Sequence, residues 1–240
     1  MRIINLLFHD IIENQLPRNK YAITKSSFLS IIKLIVDHSE FSFYEESSNT
    51  THVRIFIDDG YASTYATAFP VLEEFNIKPY IAITANTINQ EGYISIDQIK
   101  ELHKNGWTIC SHGVSHVGLS IYVDSIAQKN PRDGIYHDVG VRGQNILLTQ
   151  QEVLYQLVES KRIIGEILNC PVESFVYPYG IYNKFILNTI KNLAIYKKAY
   201  TCDFGAENEV TDPVKIPRLI IDNETSHTKI IEDLALLTHT

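Results

Sequence analysis

Two adjacent carboxylates, Asp58 and Asp59, and two histidines four positions apart, His112 and His116, are of the types and spacing that suit metal-assisted hydrolysis. Adjacent carboxylates repel, so keeping both ionised in a partly buried site requires a cation. A cation held by one of them leaves the other available as a base. His112-Gly113-Val114-Ser115-His116 lets both imidazoles converge if a helical turn begins there. Two imidazoles and one carboxylate leave positions open for water and substrate, as catalytic sites require and closed structural sites do not. Each pair alone has a plainer reading: Asp-Gly is common turn chemistry, and His-x-x-x-His often arises by chance. A third segment, Tyr177-Pro178-Tyr179-Gly180, is an aromatic, rigid turn suited to lining a sugar groove and presenting a backbone N–H to an oxyanion; alone it reads as a packed turn.

All three segments follow directly on apolar runs of strand length. The spacing predicts strands over 53–57, 78–84, 107–111, 174–177, 198–202 and 216–221, with helices over 64–75, 95–105, 149–169, 183–193 and 227–237. Two of the helices open on capping boxes, Ser95-Ile96-Asp97-Gln98 and Thr149-Gln150-Gln151-Glu152. Alternating strand and helix is the signature of a parallel sheet or β/α barrel, whose catalytic groups gather at the C-terminal ends of strands. Residues 39–52 are polar and predict loops, and 120–148, with Pro131, Gly134, Gly140 and Gly143, is too long for an ordinary connection and predicts a substrate-facing insertion. No linker divides the pattern, so a single domain over 1–240 is expected.

At 240 residues with 45% hydrophobic and 20% charged residues, the chain can build one sizeable core. The net charge of -7 and the scattered Lys and Arg argue against nucleic acid as a partner. The N-terminal apolar run is too short for a signal peptide and no segment approaches a membrane span, so a soluble, cytoplasmic protein is expected. Cys110, Cys170 and Cys202 are odd in number and widely spaced, which argues against disulfides or a Cys-based zinc site and predicts three buried thiols. No G-x-S-x-G elbow supports a serine esterase.

Together the motifs resemble the polysaccharide deacetylases of carbohydrate esterase family 4, the NodB-like deacetylases. Phe56-Ile57-Asp58-Asp59-Gly60 is similar to the family's first motif, Ser111-His112-Gly113-Val114-Ser115-His116 to its second and Tyr177-Pro178-Tyr179-Gly180 to a form of its third, in the family's order. The resemblance implies an α/β fold, a distorted (β/α) barrel of about seven strands, and a hydrolase that removes an N-acetyl group from an amino sugar in a polysaccharide, oligosaccharide or sugar precursor. It implies Asp58 as general base, Asp59, His112 and His116 as ligands of a divalent metal, and the backbone N–H of Tyr179 at the oxyanion. Zinc is the default metal, and cobalt, nickel or iron also accept this donor set. Tyr61, Tyr177 and Pro178 are expected to contact the substrate.

The general acid is read from the chain ends. Leu6-Leu7-Phe8-His9-Asp10 resembles the N-terminal strand of a circularly permuted branch of the family, in which the terminal histidine is the acid, and an imidazole suits that role near neutral pH. His9 is therefore preferred to His239 of Leu237-Thr238-His239, which matches the family's Leu-x-His motif but sits beside the chain end. Where the family's third motif often carries an arginine this chain has Val176, and Arg218 is expected to supply the guanidinium that orients Asp58. The alternatives are a deformylase or non-sugar amidohydrolase on the same fold, or a carbohydrate-binding protein that has lost the reaction.

Overall fold

A computed structural model of the chain describes residues 2–13, 19–44, 50–119 and 148–239. Its centre is a curled, wholly parallel sheet. In spatial order the strands are β10 (Leu219–Ile220), β1 (Ile3–Phe8), β5 (Thr51–Ile57), β6 (Tyr80–Ile83), β7 (Thr108–Ser111), β8 (Ser174–Val176) and β9 (Lys198–Tyr200), with the short β4 (Phe41–Ser42) paired to the start of β5. The path of seven strands matches the expected number. The predicted strand over 216–221 is broken, because Pro217 has no N–H to give to a ladder. Ile216 pairs with β9, its N–H donating to the Ala199 carbonyl at 2.9 Å, and two residues after Pro217 the chain pairs instead with β1. This stretch draws the two edges of the sheet together.

Side chains alternate across each strand, so one face meets the helices and the other faces the barrel interior. Leu7, Phe56, Ala82, Cys110, Val176, Tyr200 and Ile216 form the apolar inner tier. One step earlier along the strands, Asn5, Arg54 and Lys198 converge on Glu207, with Arg54 and Lys198 each 2.9 Å from its carboxylate. One step later come His9, Asp58, His112, Cys202 and Arg218. The period of two thus places the chemistry-bearing side chains directly above an apolar floor at the carboxyl rim.

The helices form the outer layer: α2 (Phe69–Glu74), α3 (Ile96–Lys104), α4 (Gln150–Leu168), α5 (Lys184–Asn192) and α6 (His227–His239) fall where the sequence pattern predicts, after a further helix the pattern did not single out. That helix, α1 (Lys25–Val36), is capped by Thr24, whose hydroxyl accepts the Ser27 N–H, and buries Phe28, Ile31, Ile32 and Ile35 at helical spacing. The expected helix over 64–75 opens as a π-helical turn, Thr64–Ala68, before α2, because Pro70 lacks the N–H that an α-turn requires and crowds the preceding carbonyls. The region 39–52, expected as loop, contains β4 and the first residues of β5. The insertion expected at 120–148 lies outside the described residues up to 147. No described helix is long and apolar enough to cross a membrane.

The capping box of α3 is present in both directions: Ser95 Oγ accepts the Gln98 N–H at 3.2 Å, and Gln98 Oε1 accepts the Ser95 N–H at 2.9 Å. Ser95→Ala is expected to lower unfolding free energy by about 1 kcal/mol in urea denaturation. An unchanged midpoint would mean that water replaces the cap.

Candidate active site

Asp58 leaves the end of β5 with its N–H donated to the Phe8 carbonyl at 2.9 Å, so the backbone pairing of β1 and β5 fixes its position. Its carboxylate is 2% exposed and is held by a two-pronged fork: Arg218 Nη1 donates to Oδ1 at 2.8 Å and Nη2 to Oδ2 at 2.9 Å. Arg218, 1% exposed, donates Nε–H to the Thr201 carbonyl at 2.9 Å, and its guanidinium stands 5.3 Å from the Phe56 ring centre. Burial works to lower the Arg218 pKa, but the Asp58 charge outweighs it and the group is held above its ordinary range. The expected contact between Arg218 and Asp58 is therefore made. Val176 belongs to the apolar tier beneath.

Asp59 points elsewhere. Its φ of 74°, a left-handed conformation, swings its carboxylate away from Asp58 and towards the histidines. Asp59 Oδ1 lies 3.1 Å from His116 Nε2 and 3.5 Å from His112 Nε2, and the three potential ligand atoms all lie within 4.8 Å of one another. Burial works to raise the Asp59 pKa, and the His116 and His112 imidazoles, whenever they carry a proton, overcome it, holding the carboxyl well below its usual range. His112 Nδ1 lies 2.8 Å from the Val176 carbonyl, which can only accept, so Nδ1 carries the hydrogen. In the neutral ring Nε2 then presents a lone pair to a carboxylate oxygen, and two acceptors face each other across 3.5 Å. A cation between them relieves that repulsion, and two imidazoles with one carboxylate are a donor set that zinc and similar divalent ions accept, so the residues fit a metal.

The loop between the histidines has a support that the sequence reading missed. Gln156, buried on α4, accepts the N–H groups of Val114 at 2.8 Å and Ser115 at 3.0 Å, and its amide donates to Ser115 Oγ at 2.9 Å. The available signal was a glutamine on the helix face that also buries Val153, Leu157 and Ile164. Gln156→Leu leaves two N–H groups without acceptors and frees His116 to shift. Divalent-metal affinity should fall about 10- to 100-fold in chelator competition; unchanged affinity would show the loop holds itself.

The third motif divides between core and cleft. Tyr177 is fully buried and its hydroxyl donates to the Val214 carbonyl at 2.9 Å, so the expectation that it touches substrate is corrected. Pro178 is likewise buried, facing Gly113. Tyr179 is 47% exposed at φ 58°, its ring centre 4.6 Å from that of His116. Gly180 holds the turn at φ 69° against Cys202, where a Cβ would come within 2.5 Å of the Cys202 Cβ. Tyr61 stacks on Tyr93 with ring centres 5.4 Å apart, and burial with the adjacent Asp59 carboxylate pushes its hydroxyl pKa up, which places it beside the acid pair.

A cleft of about 160 Å³ is lined by His9, Asp58, Asp59, His112, His116 and Tyr179, all expected, and by Tyr21, Gly180, Cys202 and Ile220, which were not. Cys202 and Cys170 are partly exposed, so only Cys110 fulfils the expectation of a buried thiol. His9 reaches the cleft. The end of α6 does not: Thr238, beside His239, hydrogen-bonds Thr51 at the start of β5, at the opposite end of the sheet. The backbone of this helix thus ends away from the cleft, and His9 is the histidine of the two that lines it.

Burial lowers the His9 pKa below 6.5 despite the opposing charges of Asp59 and Asp58. The unfolded chain takes up this proton near pH 6.5 while the folded protein resists it, so the associated stability is full above that pH and lost as pH falls below it. In urea denaturation of the metal-free protein, His9→Gln should flatten part of the acid-side decline; an identical slope would contradict the lowered His9 pKa.

A curled sheet of seven parallel strands, with an acid pair and a His-x-x-x-His turn on its carboxyl rim, is the architecture of the NodB-like deacetylases. The chain belongs to the polysaccharide deacetylase family, whose sequence profile matches residues 45–197. YxkH of Bacillus subtilis (strain 168), named as a polysaccharide deacetylase, is 25% identical over 154 residues, which are 64% of this chain and 46% of that protein; this chain thus spans under half of its relative. The fold is shared with the Streptococcus pyogenes deacetylase PplD in complex with acetate (TM-score 0.73, 17% identity, 97% of this chain and 98% of that one). It is also shared with a de-N-acetylase from Aggregatibacter actinomycetemcomitans (0.73, 18%, 97% and 100%) and with IcaB from Ammonifex degensii (0.71, 20%, 100% and 97%).

Proposed function

We propose that this chain is a divalent-metal-dependent hydrolase that removes the N-acetyl group from an amino sugar in a polysaccharide, oligosaccharide or sugar precursor. The observation that carries this reading is the opposition of His112 Nε2 and Asp59 Oδ1, with His116 beside them, next to a carboxylate forked by arginine. Asp59, His112 and His116 would hold the metal, zinc by default. A divalent cation there supplies polarisation of the amide carbonyl and acidification of water.

The chain's own groups do the rest. Asp58, fixed by Arg218, takes a proton from the attacking water as its oxygen adds to the carbonyl carbon. The backbone N–H of Tyr179 donates to the oxyanion, and the Tyr179 ring offers a face to the sugar. As the C–N bond breaks, its electron pair stays on nitrogen and His9 supplies the proton, giving acetate and a free amine. Desolvation makes a protonated His9 a stronger acid than imidazolium in water, which favours that transfer.

The test is acetate release from a panel of N-acetylated oligosaccharides by the metal-free protein and by protein loaded with zinc, cobalt or nickel. Metal-dependent release is expected. Stoichiometric metal binding without acetate from any member would overturn the reading in favour of a binding protein.

A further inference from the structure

An active-site imidazole is usually aimed by a hydrogen bond from the nitrogen that does no chemistry to a carboxylate or carbonyl. His112 obeys this rule through Val176. His9 does not: its Nδ1 is buried and has no hydrogen-bond partner among the described residues. Its ring is instead covered by Tyr21, with centroids 4.9 Å apart and planes inclined by 36°.

The contact follows from register. β2 (Asp10–Ile12) and β3 (Ala22–Thr24) form a separate parallel pair in which Asp10 is level with Ala22. His9 and Tyr21 are the residues immediately before those partners, so the pairing brings their side chains abreast. Both ends are pinned. Ser63 Oγ donates to Asp10 Oδ1 at 2.6 Å. Asn19 Oδ1 accepts the Tyr21 N–H at 2.8 Å, and Asn223 holds the same turn, donating its N–H to Lys20 O at 2.9 Å and its amide to Asn19 O at 3.1 Å.

We propose that Tyr21 is the positioning residue of His9, fixing the imidazole plane by ring contact where a hydrogen bond is missing, so that Nε2 serves the leaving nitrogen. This rests on the reading of His9 as the acid. The ring face is what matters, and the Tyr21 hydroxyl is dispensable.

The test compares Tyr21→Ala, Tyr21→Phe and His9→Ala on two substrates: an N-acetylated glucosamine oligomer, whose amine must be protonated to leave, and an activated phenyl acetate, whose phenolate leaves unaided. His9→Ala should lower kcat on the amide about 100-fold more than on the ester. Tyr21→Ala should show the same bias at about tenfold, with KM little changed, and Tyr21→Phe should restore it. In the metal-free protein the His9 ring C–H resonances should shift in Tyr21→Ala and stay in Tyr21→Phe. Equal loss on both substrates in Tyr21→Ala, no rescue by Phe, or unmoved resonances would overturn the proposal. Absence of leaving-group bias in His9→Ala would instead overturn the assignment of His9 as acid.

Discussion

His116→Ala should lower kcat/KM for deacetylation by at least about 10³-fold, corresponding to several kcal/mol of lost transition-state stabilisation. His116 Nε2 is the nitrogen nearer to Asp59, at 3.1 Å, and its removal leaves only His112 and Asp59 in the donor set. Two ligands hold a divalent ion far less firmly than three. Chelator treatment of the native protein should reproduce the loss, and added zinc should reverse it in the native protein but not, at micromolar levels, in the variant. Metal content measured beside activity checks the cause. Full activity with no bound metal would remove the cation from the reaction.

Arg218→Ala should have the largest effect on stability. Asp58 would become a buried carboxylate without its fork, and breaking such a pair from one side costs about 3–5 kcal/mol. Catalysis should also suffer, by about 100-fold in kcat, because the carboxylate loses the two contacts that fix its plane. Arg218→Lys should rescue little, since an ammonium cannot donate to both oxygens in parallel. The double variant with Asp58→Asn should recover part of the stability, as no buried charge is then left alone, while remaining inactive. If Arg218→Ala kept its turnover while Asp58→Asn lost it, Arg218 would have no part in orienting the base.

The barrel and the convergence of Asp59, His112 and His116 were legible because each depends on a short stretch of chain. Val53-Arg54-Ile55-Phe56-Ile57 declares a strand, and whatever follows it stands at the rim; the same holds for Trp107 to Ser111 before His112. Arg218 was legible for a different reason: the resembled family's third motif often carries an arginine where this chain has Val176, which points to the guanidinium of Ile216-Pro217-Arg218 instead. Tyr21 and Gln156 were not legible, because their partners are set by pairings across the chain. Tyr21 meets His9 only through the register of β2 with β3, and Gln156 reaches the His112–His116 loop only once α4 has docked against it. Tyr177 misled because it stands in a motif with Tyr179. Residues two apart in an extended segment face the same way, yet here Tyr179 turns outward by its left-handed φ while Tyr177 faces the core.

The apolar tier beneath Asp58 makes the barrel a cul-de-sac. Its two polar members, Cys110 and Tyr200, are held by burial above their ordinary pKa values, so both stay neutral at the foot of the cleft. The charged knot around Glu207 lies on the far side of that tier, sealed off from the reaction. On the proposed reaction, water, acyl group and amine would enter and depart by the cleft above that tier, and the protons of a turnover would travel by the same door.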